Sequence, residues 1–89
     1  MTVSVLIPAY NEEENISETI DSLRRALPQA ELVVIDDCSS DSTAALAASR
    51  EVTVLRHRRN RGKAEALATG LENSAGQVVA MVDGDMGSC

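Results

Sequence analysis

Apolar residues along this chain gather into four nearly continuous runs, separated by polar loops and amphipathic stretches. The runs are Val3-Ser4-Val5-Leu6-Ile7, Leu32-Val33-Val34-Ile35, Val52-Thr53-Val54-Leu55 and Val78-Val79-Ala80-Met81-Val82. Each is of strand length and rich in β-branched residues. Runs without polar alternation fit strands covered on both faces, as in a parallel sheet. Pro8 is expected to stop the first strand, because proline cannot donate to a sheet ladder.

Helical patterns fill the gaps. Ile16, Ile20, Leu23 and Leu27 form one apolar stripe at helical spacing. Asn11 reads as its N-cap, with Glu14 in the capping-box position and Glu12 and Glu13 at the positive end of the helix dipole. Pro28 closes it. The spacing predicts an Ala-rich helix from about Ser42 to Ser49. A third helix opens at Gly62, with Ala64, Leu67, Ala68, Leu71 and Ala75 as its apolar face and Gly76 as its C′ glycine. The order is therefore β-α-β-α-β-α-β. An α/β fold follows: a Rossmann-like half of a doubly wound sheet, four parallel strands in order 3-2-1-4, helices on both faces. On that order the loops after strands 1, 2 and 4 converge over one crevice.

Composition narrows the function. With 89 residues the chain makes one small domain, and its net charge of -6 argues against general nucleic-acid binding. The positive charge is concentrated in Arg56, Arg58, Arg59, Arg61 and Lys63. No apolar run reaches the roughly 20 residues of a membrane span. The opening residues lack the regions of a signal peptide, and Cys38 and Cys89 have no metal-like spacing. A reduced, cytoplasmic protein is the expectation.

The candidate chemistry lies at the strand ends. The fourth run ends in Asp83-Gly84-Asp85. Two carboxylates two residues apart in extended chain face the same way, so both can reach one cation, Mg²⁺ or Mn²⁺ in preference to zinc. The plainer reading is a solvated strand end. Tyr10, the only aromatic residue, either stacks on a nucleobase or packs on the helix beneath it. Asp37 either accepts from a base N–H or caps the next helix, which Ser39, Ser40 or Asp41 serve equally well. The basic loop is either a solvated surface or a neutraliser of phosphates, with Lys63 its best-placed member. There is no G-x-G-x-x-G after strand 1, no P-loop, and no Ser-His-Asp set around the lone His57.

Four pieces in register resemble family 2 glycosyltransferases of the GT-A fold. They are Val3 to Glu13, Leu32 to Thr43, Asn60-Arg61-Gly62-Lys63-Ala64-Glu65-Ala66-Leu67, and Val82-Asp83-Gly84-Asp85. The branch most similar includes dolichol-phosphate mannosyltransferases and glucosyl-3-phosphoglycerate synthases. The resemblance implies a nucleoside diphosphate sugar as partner, held by Pro8, Ala9, Tyr10, Glu12, Ile35, Asp37, Lys63, Asp83 and Gly84. It implies a Mn²⁺ or Mg²⁺ cofactor on Asp83 and Asp85. Cys38 stands where glycine or asparagine is common. The family's domains are much longer, so residues 1–89 correspond to the donor-binding half, without turnover of its own and with an open sheet edge that invites a second copy. The full-length parent is expected at the cytoplasmic membrane face. Two other readings compete: a non-enzymatic Rossmann-like assembly module, and a flavodoxin-like phospho-receiver suggested by Asp36, Asp37 and a lysine.

Overall fold

The computed structural model describes residues 3–74 and the backbone of 77–81. The elements are β1 (Val3–Ala9), α1 (Ile16–Ala26), β2 (Glu31–Asp36), α2 (Thr43–Ala48), β3 (Thr53–Arg56), α3 (Lys63–Asn73) and β4 (Gln77–Met81). All pairings are parallel, and the sheet runs β3-β2-β1-β4. The α/β architecture with a parallel sheet is thus as expected. Ala75, Gly76, Val82, Asp83, Gly84, Asp85 and Cys89, all named above, lie outside the described residues.

Alternation of side chains sends successive strand residues to opposite faces. Val5, Ile7 and Ala9 of β1 with Leu32 and Val34 of β2 meet Ile16 and Ile20 of α1 and Ala47 of α2. Leu6, Val33 and Ile35 face the other way, onto Ala66 of α3, with Leu55 and Leu67 at the margin. Helices therefore cover both faces. Among the described residues, no helix is long and apolar enough to cross a membrane.

Three local expectations need correction. Pro8 does not stop β1; it pairs with Ile35 inside the strand. The Ala9 carbonyl accepts from the Asp37 amide (2.9 Å), so residue 9 faces β2 and residue 8 faces away from it. On that other side the described pairing ends at Leu6 with Met81. Proline's missing donor therefore costs the β1–β2 ladder nothing. Leu27 is not on the α1 stripe. The helix ends at Ala26, and Leu27 is exposed with φ -134°, because a residue before proline is pushed out of the α region.

The third correction concerns α3. Its buried residues are Ala66 and Gly70, whereas Ala64 and Ala68 are exposed and Leu71 keeps 54% of its surface accessible. Small residues four apart let the helix axis come close to the sheet, and the larger leucines are left at the sides. The apolar periodicity was dominated by those leucines and pointed to the wrong face.

Candidate functional site

β1, β2 and β3 each deliver a loop to the same edge of the parallel sheet. The strand ladder runs one bond past the strands themselves. Asp37 N–H donates to Ala9 O and His57 N–H to Asp36 O, both at 2.9 Å. These bonds set the first loop residues of β1, β2 and β3 side by side. A cleft of about 190 Å³ opens there, lined by Pro8, Ala9, Tyr10, Asp37, Asn60, Gly62, Lys63 and Ala66. Ligands of open α/β sheets bind at this carboxyl edge.

Asp36 and Asp37 are neighbours with separate duties. Asp36 is fully buried. It accepts from the Ser39 amide (3.1 Å), the Ser39 hydroxyl and Arg56 Nε (3.2 Å). Ser39 Oγ in turn accepts from the Asn11 amide at 2.8 Å. Asp36 thus braces the loop that carries Tyr10. Asp37, also buried, braces the opposite wall. Its Oδ1 accepts from His57 Nδ1 (2.7 Å) and the Arg61 amide (2.8 Å), and its Oδ2 from the Gly62 amide (2.8 Å). Burial alone would push the Asp37 carboxyl up. The His57 ring and the two loop amides outweigh it and hold the carboxyl below its usual range. Gly62 is needed here for its backbone: at φ +90° its N–H reaches Asp37, while a Cβ would meet nothing within 4 Å.

The Tyr10 wall is stapled to the β2–α2 loop. The Glu12 amide donates to Thr43 Oγ1 (2.8 Å), the Ser40 amide to Asn11 Oδ1 (2.9 Å) and the Ser42 amide to Glu13 Oε1 (3.1 Å). Asn11 is therefore not the cap of α1. It sits at φ +52°, a region asparagine tolerates, and spends its side chain across the loop. The helix starts later, after Asn15, and its first turn is closed by Asn15 and Ile16 amides on Glu12 O.

Cys38 adopts φ +65°. Glycine and asparagine bear that conformation best, and a left-handed residue costs roughly 1–2 kcal/mol otherwise. Its thiol makes only a weak bond to Arg58 O at 3.4 Å. Cys38→Asn is expected to stabilise the chain by about 1 kcal/mol, raising Tm by roughly 4–8 °C. A thermal melt of parent and variant checks this, and an unchanged or lower Tm counts against it.

Of the residues the sequence singled out, Pro8, Ala9, Tyr10, Asp37 and Lys63 meet around one cleft. Tyr10 is half-exposed at 48%, so its ring is not committed to the core. Glu12 is buried and is not among the residues that line the cleft; its backbone carries the loop staple. Ile35 has no accessible surface and packs with Leu6, Val33 and Ala66; it supports the floor without lining it. Asp83, Gly84 and Asp85 lie outside the described residues, and among those described no group of three or more His, Cys, Asp or Glu is arranged for a metal. Sequence reasoning gave Thr69 no role, took Ser39 only as an optional helix cap and Asn60 only as part of a longer run, and found no catalytic set around His57. His57 is in fact buried, with Nε2 2.8 Å from Thr69 Oγ1. Its separation from Asp37 by 20 residues left no local signal.

Comparison with known proteins gives a consistent picture. The sequence profile described as glycosyl transferase family 2 matches residues 4–86. A dolichol-phosphate mannosyltransferase of Pyrococcus furiosus is 36% identical over 92 residues, covering 97% of this chain and 26% of the relative. A mannosyltransferase of Pyrobaculum calidifontis, solved with GDP-Man and Mn²⁺, superimposes with a TM-score of 0.83 at 32% identity, over 93% of this chain and 27% of that one. Glucosyl-3-phosphoglycerate synthase of Mycobacterium tuberculosis, solved with Mn²⁺, UDP and glucosyl-3-phosphoglycerate, gives 0.81 at 33% identity, over 93% and 33%. The chain spans about a quarter to a third of the length of the curated relatives it matches.

Proposed function

This chain belongs to glycosyl transferase family 2, and we propose that residues 1–89 form the nucleotide-sugar-binding half of a GT-A glycosyltransferase domain. The observation that carries this reading is the meeting of Pro8, Ala9, Tyr10, Asp37 and Lys63 around one cleft at the carboxyl edge of a parallel sheet ordered 3-2-1-4. Neighbours that share this fold at over 30% identity hold GDP-Man or UDP together with Mn²⁺.

The roles follow from chemistry. The Tyr10 ring stacks on the base. Pro8 and Ala9 present a surface without charge beneath it, braced by Ile35. Asp37 accepts from a donor on the nucleoside, and Glu12 keeps the Tyr10 loop in place. Lys63, at the start of α3, faces the phosphates, and Gly84 leaves room for the sugar. Two hard carboxylates, Asp83 and Asp85, fit Mn²⁺ or Mg²⁺ by donor type. When bound, the ion would stabilise the leaving diphosphate as a Lewis acid. Transfer itself draws on acceptor contacts from the remaining length that the relatives possess. We read the parent as a cytoplasmic protein at the membrane face, and the outer edge of β4 as a place for a second copy.

Calorimetric titration of UDP and of GDP, each with and without Mn²⁺, tests the reading. At least one nucleotide is expected to bind only with the metal, and Asp85→Ala to weaken that binding by about 10–100-fold. Failure of both nucleotides to bind, or equal binding by parent and variant, overturns it.

A further inference from the structure

His57, buried against Asp37, is a group that the nucleotide-binding reading leaves without a task. Its chain neighbours Arg56 and Arg58 are exposed, yet its own ring is 7% accessible. Three elements hold it. The backbone N–H donates to Asp36 O at the end of β2, Nδ1 meets Asp37 Oδ1, and Nε2 meets Thr69 Oγ1 on α3. A surface histidine displaced into the interior would not find both ring nitrogens partnered by chance at 2.7 and 2.8 Å.

The consequence lies in what remains of Asp37. A carboxylate offers about four acceptor positions. Two on Oδ1 are taken by His57 and Arg61, and one on Oδ2 by Gly62. Among the described residues one acceptor position is left, on Oδ2, and Asp37 lines the cleft. Without His57 the Arg61 and Gly62 amides would still hold the carboxylate, but a second acceptor position, on Oδ1, would stand open beside the one on Oδ2.

We infer that His57 is a positioning residue for nucleobase recognition: it takes up Asp37 Oδ1 so that a single Oδ2 acceptor faces the cleft, ready for one ring N–H of the base. This rests on the nucleotide-binding reading above. Because Asp37 accepts, Nδ1 must carry the hydrogen. Thr69 completes the ring's other end, since a hydroxyl can donate or accept there.

The test separates base from phosphates. Parent, His57→Phe and His57→Asn are titrated with whichever of UDP and GDP the parent binds, and with inorganic pyrophosphate, all with Mn²⁺. His57→Phe is expected to bind the nucleotide about tenfold more weakly, the loss of one hydrogen bond to a charged group, and pyrophosphate as the parent does. In His57→Asn the amide nitrogen can occupy the place of Nδ1, so nucleotide affinity is expected to return to within a few-fold of the parent. In the parent, nitrogen-15 NMR of the imidazole is expected to show Nδ1 protonated; this readout does not depend on any variant folding. A bare Nδ1, a Phe variant with unchanged nucleotide affinity, or equal loss of nucleotide and pyrophosphate overturns the inference while leaving the nucleotide site standing. A parent that binds neither nucleotide nor pyrophosphate overturns both.

Discussion

Replacing Asp37 by Asn is expected to remove about 2–3 kcal/mol of stability, from the loss of hydrogen bonds to a charged group and a buried donor left unsatisfied. The side chain accepts three hydrogen bonds, from His57 Nδ1 and from the Arg61 and Gly62 amides. Asparagine offers one oxygen in place of two, so it cannot serve all three donors. Its amide group would also point hydrogens at whichever donor it faced. A chain of this length has roughly 4–13 kcal/mol of total stability, so the variant should melt about 8–24 °C lower. The bonds it loses all lie between the first residue after β2 and the β3–α3 loop. Amide exchange at Arg61 and Gly62 should therefore rise first. A Tm within a few degrees of the parent would show that the loop is held by other means.

The same carboxylate gives the chain a pH dependence of fixed sign. Asp37 titrates below its usual value in the folded state. Its contribution is then complete above the unfolded-state pKa of about 3.9 and is lost as pH falls through the lower folded value. Asp41 adds to the trend. Burial would raise its carboxyl, but the Thr43 hydroxyl and amide and the Glu13 amide hold it down. In melts at successive pH values, the gap in Tm between parent and Asp37→Asn should stay constant near neutrality and close below about pH 4.

How much of this was legible beforehand divides along physical lines. The strands were plain because continuous apolar runs such as Leu32-Val33-Val34-Ile35 have few other uses in a chain of this size. The convergence of Tyr10 and Asp37 was legible because parallel topology brings the ends of β1 and β2 to the same edge; that the loop after β3 brings Asn60, Gly62 and Lys63 to the same cleft was not part of that topological expectation. What Asp37 does once there was not. Its partners His57, Arg61 and Gly62 lie 20 to 25 residues away, and two of them act through backbone amides that have no sequence signature. Asn11 was misread for a related reason. Its residue type suits a cap, but it also suits a left-handed turn, and the loop across from it, with Ser39 and Ser40, decided between them.

The buried face of α3 was hidden for a different reason, and it supplies the second large effect. Gly70 stands where the helix comes closest to the sheet. A Cβ there would lie 2.9 Å from Ile35 Cδ1 and 3.1 Å from both Leu6 Cδ atoms. Ile35 and Leu6 are themselves fully buried, so neither can swing out to solvent. Gly70→Ala sets this crowding against a gain of about 1 kcal/mol in helix propensity. The crowding atoms are side-chain ends that can yield a few tenths of an ångström, so the two effects should nearly cancel. Gly70→Val adds two more carbons at the same spot and gains much less propensity. Overpacking of a filled core costs about 1–3 kcal/mol, and here the helix must lift off Leu6 and Ile35 to admit the branch. Denaturant melts should place the alanine variant within about 1 kcal/mol of the parent and the valine variant about 2–3 kcal/mol below it. Ala66, one turn earlier, lies on the same buried face and lines the cleft. A helix lifted at Gly70 should therefore also disturb the cleft, and nucleotide affinity should fall in the valine variant even under conditions where it stays folded. Equal stability of the alanine and valine variants would mean that α3 does not depend on the missing side chain to reach the sheet.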